Sequence, residues 1–220
     1  MPKILSDNEI SCFRDKLCDL ALEAFAQRGV EGITLRGLAT SVGCSRTTPY
    51  RYFKNKADIL AALRQREFSS LAQSLESAVC HDSDESQWLV ILTSQYLRFA
   101  IENPVSYRVM YEVDQEDAHR YPELMKQIER SGQPIRDRVK AAVAAGVMYG
   151  DPINIAFTLW AGLHGLISLH LSNMLGNERT INELAEVMVR SLGRAVSIET
   201  AAKSPARRVK QTELLKPIKF

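Results

Sequence analysis

Leu35-Arg-Gly-Leu-Ala-Thr-Ser-Val-Gly-Cys-Ser-Arg-Thr-Thr-Pro-Tyr-Arg-Tyr-Phe53 is the stretch that decides how this chain reads. It has the layout of two short helices joined by a tight turn, a helix-turn-helix over residues 35–54. Helices that cross closely need a small side chain at the contact, and Ala39 supplies it. The turn needs a residue that accepts positive φ, and Gly43 supplies that. Thr34 is placed to cap the first helix, Leu35 to Val42, and Ser45 to cap the second, Arg46 to about Tyr52. Leu38, Val42 and Phe53 can then bury inward, while Arg46, Thr47, Thr48, Tyr50 and Arg51 stay outside.

That outward set suits DNA. The N-terminus of a recognition helix enters the major groove, where Arg and Thr can read base edges. Tyr hydroxyls, Lys ammoniums and backbone amides hold phosphates, and Tyr50, Tyr52, Lys54 and Lys56 are placed for this. The free amides at an Asn55-capped helix start add anion affinity. Thr34, Arg36 and Ser45 complete the candidate DNA-binding residues. For Arg46 and Arg51, phosphate contact and guanine readout both stand as readings. Pro49 falls at the fourth position after Ser45, where its missing N–H would have met the Ser45 carbonyl. A wider, distorted first turn is the expectation.

The rest of the chain also reads as helix, about nine in all, with no hairpin signal and no alternating strand pattern. Ser6 and Glu9 form a capping box ahead of Ile10, Phe13, Leu17, Leu20 and Ala24, one apolar face ended at Gly29. A long helix starts at Lys56 and runs to about Cys80; the polar stretch from His81 to Ser86 is a loop. Helices follow from Trp88 to Ile101 and from Val105 to about Val113, the latter opened by Asn103-Pro104 as cap and first-turn proline. A bend is expected between Asp114 and Arg120. Pro122 to about Met148 holds one helix or two, with Gly132 and Pro134 as the interruption. Asp151-Pro152 opens a strongly apolar helix that Gly176 ends, and a Thr180/Glu183 capping box opens the last one.

Composition excludes several classes. The 220 residues carry 45% hydrophobic and 25% charged side chains, an ordinary globular balance. The net charge of +2 is uneven: +4 over residues 1–66, −7 over 67–202 and +5 over 203–220. A basic head on an acidic body points to an anionic partner at the N-terminal end. The four cysteines, Cys12, Cys18, Cys44 and Cys80, form no Cys-x-x-Cys pair, and no signal-peptide pattern opens the chain. Cys44, in the turn, reads as packing rather than a redox switch. The apolar run from Ile153 to Leu175 is long enough to raise a membrane span, but Asn154, His164, His170 and Asn173 lie within it, and a buried helix is expected instead. No nucleophile elbow, phosphate loop or metal-ligand spacing is present, so neither an enzyme nor a metal or cofactor is expected.

The segment from Ala24 through Leu60 resembles the N-terminal domain of the TetR/AcrR family of transcriptional regulators. The resemblance rests on Ala24-Phe25, Gly29, Gly32, Thr34, Leu38-Ala39, Gly43, Ser45, Tyr50, Tyr52-Phe53 and Lys54-Asn55-Lys56-Ala57-Asp58-Ile59-Leu60. It departs at Pro49, where the family usually has an aliphatic residue. Trp160-Ala-Gly-Leu-His164-Gly165 resembles a signature of one subset. The resemblance implies an all-α protein with a DNA-binding domain over 1–65 and a ligand-binding and dimerisation domain over 66–197; residues 198–220, with Arg207, Arg208 and Lys210, read from their composition as a basic tail. It implies a cytoplasmic homodimer on a near-palindromic operator, most simply a repressor released by a small molecule. A ligand-independent regulator, its body serving dimerisation or protein contacts, is the alternative.

In the body, Tyr96, Phe99, Tyr107, Met110, Tyr111, Met125, Met148 and Phe157 are candidates to line an apolar pocket. Thr158, Ala161, Gly165, Ser168 and Ser172 form a stripe of small residues that lets two helices approach closely. With the last helix this favours a four-helix seam between subunits, through Trp160, Ala161, His164, Gly165, Ser168, Leu184 and Met188.

Overall fold

The computed structural model describes residues 6–79, 87–113, 118–176 and 178–196. They form eight α-helices: α1 (Asp7–Gly32), α2 (Leu35–Val42), α3 (Lys56–Ala78), α4 (Trp88–Glu102), α5 (Pro104–Tyr111), α6 (Pro122–Ala144), α7 (Pro152–Leu171) and α8 (Ile181–Val196). Two 3-10 turns, Thr48–Arg51 and Ala118–Arg120, complete the order. The all-α reading is correct, with eight helices instead of nine because the expected recognition helix is the first of those turns. Cys80, the expected loop His81 to Ser86, residues 114–117 of the expected bend, and the tail 198–220 with Arg207, Arg208 and Lys210 lie outside the described residues.

Helix starts follow the capping chemistry closely. The Ser6 box closes in both directions, with Ser6 N–H donating to Glu9 at 2.9 Å and Glu9 N–H donating to the Ser6 hydroxyl at 3.3 Å. Asn55 accepts from Asp58 N–H at 3.0 Å, Asp151 from Asn154 N–H at 2.8 Å, and Thr180 from Glu183 N–H at 3.2 Å. Asn103 differs from expectation. Its side chain turns back to donate to the Phe99 carbonyl at 3.0 Å, so it closes α4 and does not cap α5. Gly29 has φ +62° and breaks α1 as expected, but one more helical turn follows to Gly32. The apolar helix α7 stops at Leu171, ahead of Gly176.

Pro134 does not interrupt α6, which is continuous from Pro122 to Ala144. Proline leaves the Arg130 carbonyl without its helical donor. Arg136 stiffens this region: its guanidinium donates to the Glu129 carbonyl and carboxylate, each at 2.6 Å, and to Gln133 at 3.0 Å. That guanidinium lies over Gly132, where a Cβ would collide with it. The Gly132-to-Pro134 segment is thus an arginine seat and not a joint.

Two cores share α3. The first joins α1, α2, Phe53 and the start of α3 around Leu17, Phe25, Ile33, Leu38 and Leu63, and is sealed by Val109 and Val113 near α5. The second takes the rest of α3, including Phe68, Leu71 and Leu75, against α4 to α8. α3 packs most extensively on α6. Arg130 of α6 grips Glu76 of α3 through two bonds, at 2.7 and 2.5 Å. Arg66 of α3 donates to Asp19 of α1 at 2.6 Å. One rod, α3, is therefore clamped at one end to α1 and along its length to α6.

Candidate functional site

The helix-turn-helix is held from beneath by α1. Thr34 caps α2, accepting from Gly37 N–H at 3.0 Å, and Gly43 ends it in the left-handed region at φ +75°. Leu38, Ala39, Pro49 and Phe53 are buried, and Phe53 is only 2% exposed. Arg14 of α1 fixes the end of the motif: Nη1 donates to the Tyr52 carbonyl at 2.6 Å, and the guanidinium stacks 4.4 Å over the Phe53 ring. The sequence reading missed Arg14, because nothing local to residues 35–54 points to it.

On the outer side, Thr34, Arg36, Ser45, Arg46, Thr47, Tyr50, Arg51 and Lys54 are exposed, and Thr48 is half-buried. Tyr52 is half-buried with its ring 4.7 Å from that of Phe13. Lys56 is half-buried, its ammonium 3.6 Å from Glu31. The Ser45 and Thr47 hydroxyls meet each other at 3.0 Å. The free surface therefore carries Arg36, Arg46, Arg51 and Lys54 as cations, with hydroxyls between them, a composition that binds a phosphate backbone.

Pro49 tightens the motif where a wider turn was expected. Thr48 N–H takes the Ser45 carbonyl at 2.9 Å, and Tyr52 and Phe53 N–H groups both point to the Pro49 carbonyl at 3.0 Å. The result is the 3-10 turn Thr48–Arg51. A 3-10 turn is narrower and longer per residue than α-helix, so its side chains fan out at different angles. Pro49→Ala restores an N–H that can bond the Ser45 carbonyl and favours an α-helical turn. The expected result is a changed base preference in operator selection, with the salt dependence of binding unaltered. An unchanged preference would show that the turn geometry does not set readout.

A cavity of about 500 Å³ opens in the body between α3, α4, α6 and α7. Its apolar wall includes Phe68, Leu71, Leu92 and Ile135. Of the expected pocket residues, Tyr96, Tyr111 and Phe157 line it. Phe99, Tyr107 and Met110 lie in the adjoining core. Met125 is exposed on α6, and Met148 lines a separate, smaller cavity with Tyr149 and Leu192. Thr93, Glu129 and Arg136 also line the main cavity and were missed by the sequence reading, which searched for aromatic and methionine side chains.

Trp160 and His164 were expected at a subunit seam, yet both line this cavity. One helical turn apart on α7, their rings stack at 5.6 Å. Trp160 Nε1–H donates to the Tyr96 hydroxyl at 3.2 Å. That hydroxyl meets those of Tyr107 and Tyr111 at 3.1 and 3.2 Å, and Tyr107 meets His164 Nδ1 at 2.7 Å. Burial pushes all three tyrosines above their ordinary range, so they stay protonated. Tyr107 donates to Nδ1 when neutral His164 carries its proton on Nε2. The Trp-x-x-x-His spacing thus builds a closed aromatic wall.

Burial also holds His164 below its ordinary value of 6.5. The unfolded chain therefore takes up this proton before the folded one. The neutral ring's stabilisation is full above pH 6.5 and is lost as pH falls below it. Melting temperature is expected to drop as pH falls below 6.5, and to drop less in His164→Gln. Equal pH slopes in the two proteins would remove His164 from this account.

The small-residue stripe lies toward the outside of α7. Thr158, Ala161 and Ser172 are exposed, and Gly165 and Ser168 half-buried. α7 is the one helix among the described residues long and apolar enough to cross a membrane by length and composition. Contrary to a fully buried helix, its buried residues are confined to Ile155, Ala156, Leu159, Leu163 and Ile167, with Leu166 and Leu171 partly buried against the core. Leu184 and Met188 of α8 are half-buried, and Met188 packs into the chain itself: a Cβ at Gly162 would lie 2.5 Å from its sulfur.

Comparison with known proteins matches both halves. The family model for bacterial regulatory proteins of the tetR family matches residues 17–63, and that for the tetracyclin repressor-like C-terminal domain matches residues 89–192. The HTH-type transcriptional regulator Rv1816 of Mycobacterium tuberculosis is 24% identical over 191 residues, covering 73% of this chain and 81% of that protein. The uncharacterized HTH-type regulator Rv1255c of the same organism is 28% identical over 100 residues, covering 46% of this chain; the chain spans only 50% of that relative's length. A solved structure of a protein of unknown function from Rhodococcus sp. RHA1 superposes with TM-score 0.74 at 25% identity, covering 90% of this chain and 99% of that one.

Proposed function

The chain belongs to the TetR family of DNA-binding transcriptional regulators, and from that premise we propose that it acts as a homodimeric repressor released from its operator by a small molecule. The observation that carries the proposal is the cavity beside α3, the same rod whose N-terminus adjoins the helix-turn-helix. Each subunit places its Arg46-to-Tyr52 segment in one major groove. Two such segments fit a duplex when they lie about one helical turn apart, roughly 34–36 Å.

A hydrogen-bonded node joins body to motif. Asp58, in the first turn of α3, accepts from Lys54 N–H at 2.9 Å and from the Tyr121 hydroxyl at 3.0 Å. Tyr121 directly precedes α6, and α6 supplies Ile128, Glu129, Ser131, Gly132, Ile135 and Arg136 to the cavity wall. A ligand that shifts α6 against α3 displaces Asp58 and, through it, the backbone at Lys54. Ligand then favours the state whose recognition segments misfit the operator, and by linkage DNA weakens ligand binding by the same factor. A well-formed cavity supports this reading over a body used only for dimerisation.

The test is a titration of the purified protein against its own upstream intergenic DNA at several salt concentrations. Selective binding with a steep salt slope is expected. Absence of binding to DNA of any sequence at low salt would overturn the proposal.

A further inference from the structure

Thr93, on α4, is a buried cavity-lining residue at 7% exposure, and its hydroxyl oxygen has no hydrogen-bond partner. That is unusual for a hydroxyl in a helix, which ordinarily donates to the carbonyl one turn back. Thr40 does so to Arg36 at 3.1 Å, Thr158 to Asn154 at 2.8 Å, Ser77 to Gln73 at 2.7 Å and Ser191 to Val187 at 2.8 Å. Among the described residues, Thr93 Oγ1 is the buried side-chain oxygen that has no hydrogen-bond partner. A buried polar group left unmade is costly, and such groups in native proteins call for a cause.

The other polar groups on this wall are already engaged. Arg136 and Glu129 neutralise each other at 2.6 Å. Tyr96, Tyr111, Trp160 and, through Tyr107, His164 are bonded within the aromatic wall. The cavity therefore offers apolar surface, flat rings, no unpaired charge, the Nε2–H edge of His164 and one idle hydroxyl. Threonine in a helix has two accessible χ1 rotamers, so the hydroxyl can turn toward the lumen while the methyl takes its place at the wall.

We infer that the cavity takes an uncharged, largely apolar ring compound bearing one hydrogen-bonding oxygen, and that Thr93 is the residue that binds this oxygen. The inference rests on the proposal that the cavity is the ligand site, and it adds the chemical class and the residue that selects it. A carboxylate ligand would have to part Arg136 from Glu129 to find a counter-charge, which a neutral alcohol, phenol or ketone need not do.

Three probes of one shape test it by isothermal titration calorimetry: 2-naphthol, naphthalene and 2-naphthoate. Wild-type protein is expected to bind 2-naphthol about tenfold more tightly than naphthalene, and 2-naphthoate weakest. Thr93→Val keeps the side-chain shape and removes the oxygen. It is expected to bring naphthol and naphthalene within about twofold of each other. Because the hydroxyl is unpaired, the same variant is expected to melt no lower than wild type without ligand, which separates lost recognition from lost folding. Preference for naphthoate, or an unchanged naphthol preference in Thr93→Val, would overturn the ligand class or the Thr93 role and leave the cavity as a ligand site. If none of the three binds, the inference falls together with the cavity reading.

Discussion

Arg51→Ala is expected to lower operator affinity by roughly 10²- to 10⁴-fold while leaving the fold intact. Arg51 is exposed at the end of the 3-10 turn Thr48–Arg51, and no acid engages it among the described residues. A charge-assisted hydrogen bond to phosphate contributes about 1.5–3 kcal/mol. A dimer makes it twice, for about 3–6 kcal/mol in total, which gives that range. Exposure keeps the stability change within about 0.5 kcal/mol, so the melting temperature should hold. The salt slope separates the two roles open to this side chain. Loss of one phosphate contact per subunit flattens the slope by about 2, and affinity for operator and random DNA falls together. Loss of a guanine contact leaves random-DNA affinity in place and relaxes selectivity at one position per half-site. A drop of less than about threefold in both would remove Arg51 from the interface.

What the sequence made legible was local. Caps, glycine breaks and apolar spacing are dictated by a few neighbouring residues, and Ser6, Thr34, Asn55, Asp151 and Thr180 all cap as their side chains suggest. The misreadings come from competition between distant groups. Asn103 has two possible carbonyl and amide partners, and the end of α4 outcompetes the start of α5. Pro134 looked like a break because its lost bond is local, whereas the Arg136 seat over Gly132 depends on side-chain packing. Pro49 was read through one missing N–H. The outcome depended on Thr48 claiming the Ser45 carbonyl first, which tightened the turn instead of widening it.

The same distinction separates the pocket from the seam on α7. Its sequence shows two faces, one of small residues and one of large apolar ones, and neither carries a charge. Periodicity alone does not tell a cavity wall from a subunit contact. Trp160 and His164 face Tyr96 and Tyr107, residues 64 and 57 positions away in the chain. Only the packing of α4 and α5 against α7 could reveal that. Thr93 was invisible for a related reason: a lone threonine on an apolar helix carries no signal until its carbonyl partner is seen to be missing.

Gly165→Arg is expected to give a folded monomer that no longer holds its operator. Glycine in the middle of a helix costs about 1 kcal/mol relative to alanine, so each one needs a reason. Gly162 has its reason within the chain, because a Cβ there would strike Met188. Gly165 has none: a Cβ added to it meets nothing within 4 Å, and the same holds for Gly193 on α8. Beside them Ala161, Leu169 and Val187 are exposed. A second copy of this chain, laying its own α7 and α8 against these two, accounts for both glycines and for the exposed apolar side chains. Arginine at position 165 then inserts a long charged side chain where two helices must touch. Analytical ultracentrifugation should show a shift from dimer to monomer, with helical content retained. Operator affinity should fall by about 10²-fold or more, because a monomer engages only one half-site. The opposite outcome is equally readable. If this face is bare surface, arginine merely replaces a poor helix former with a good one. Mass and operator affinity would then stay the same, melting temperature would rise, and the seam would have to lie on another face.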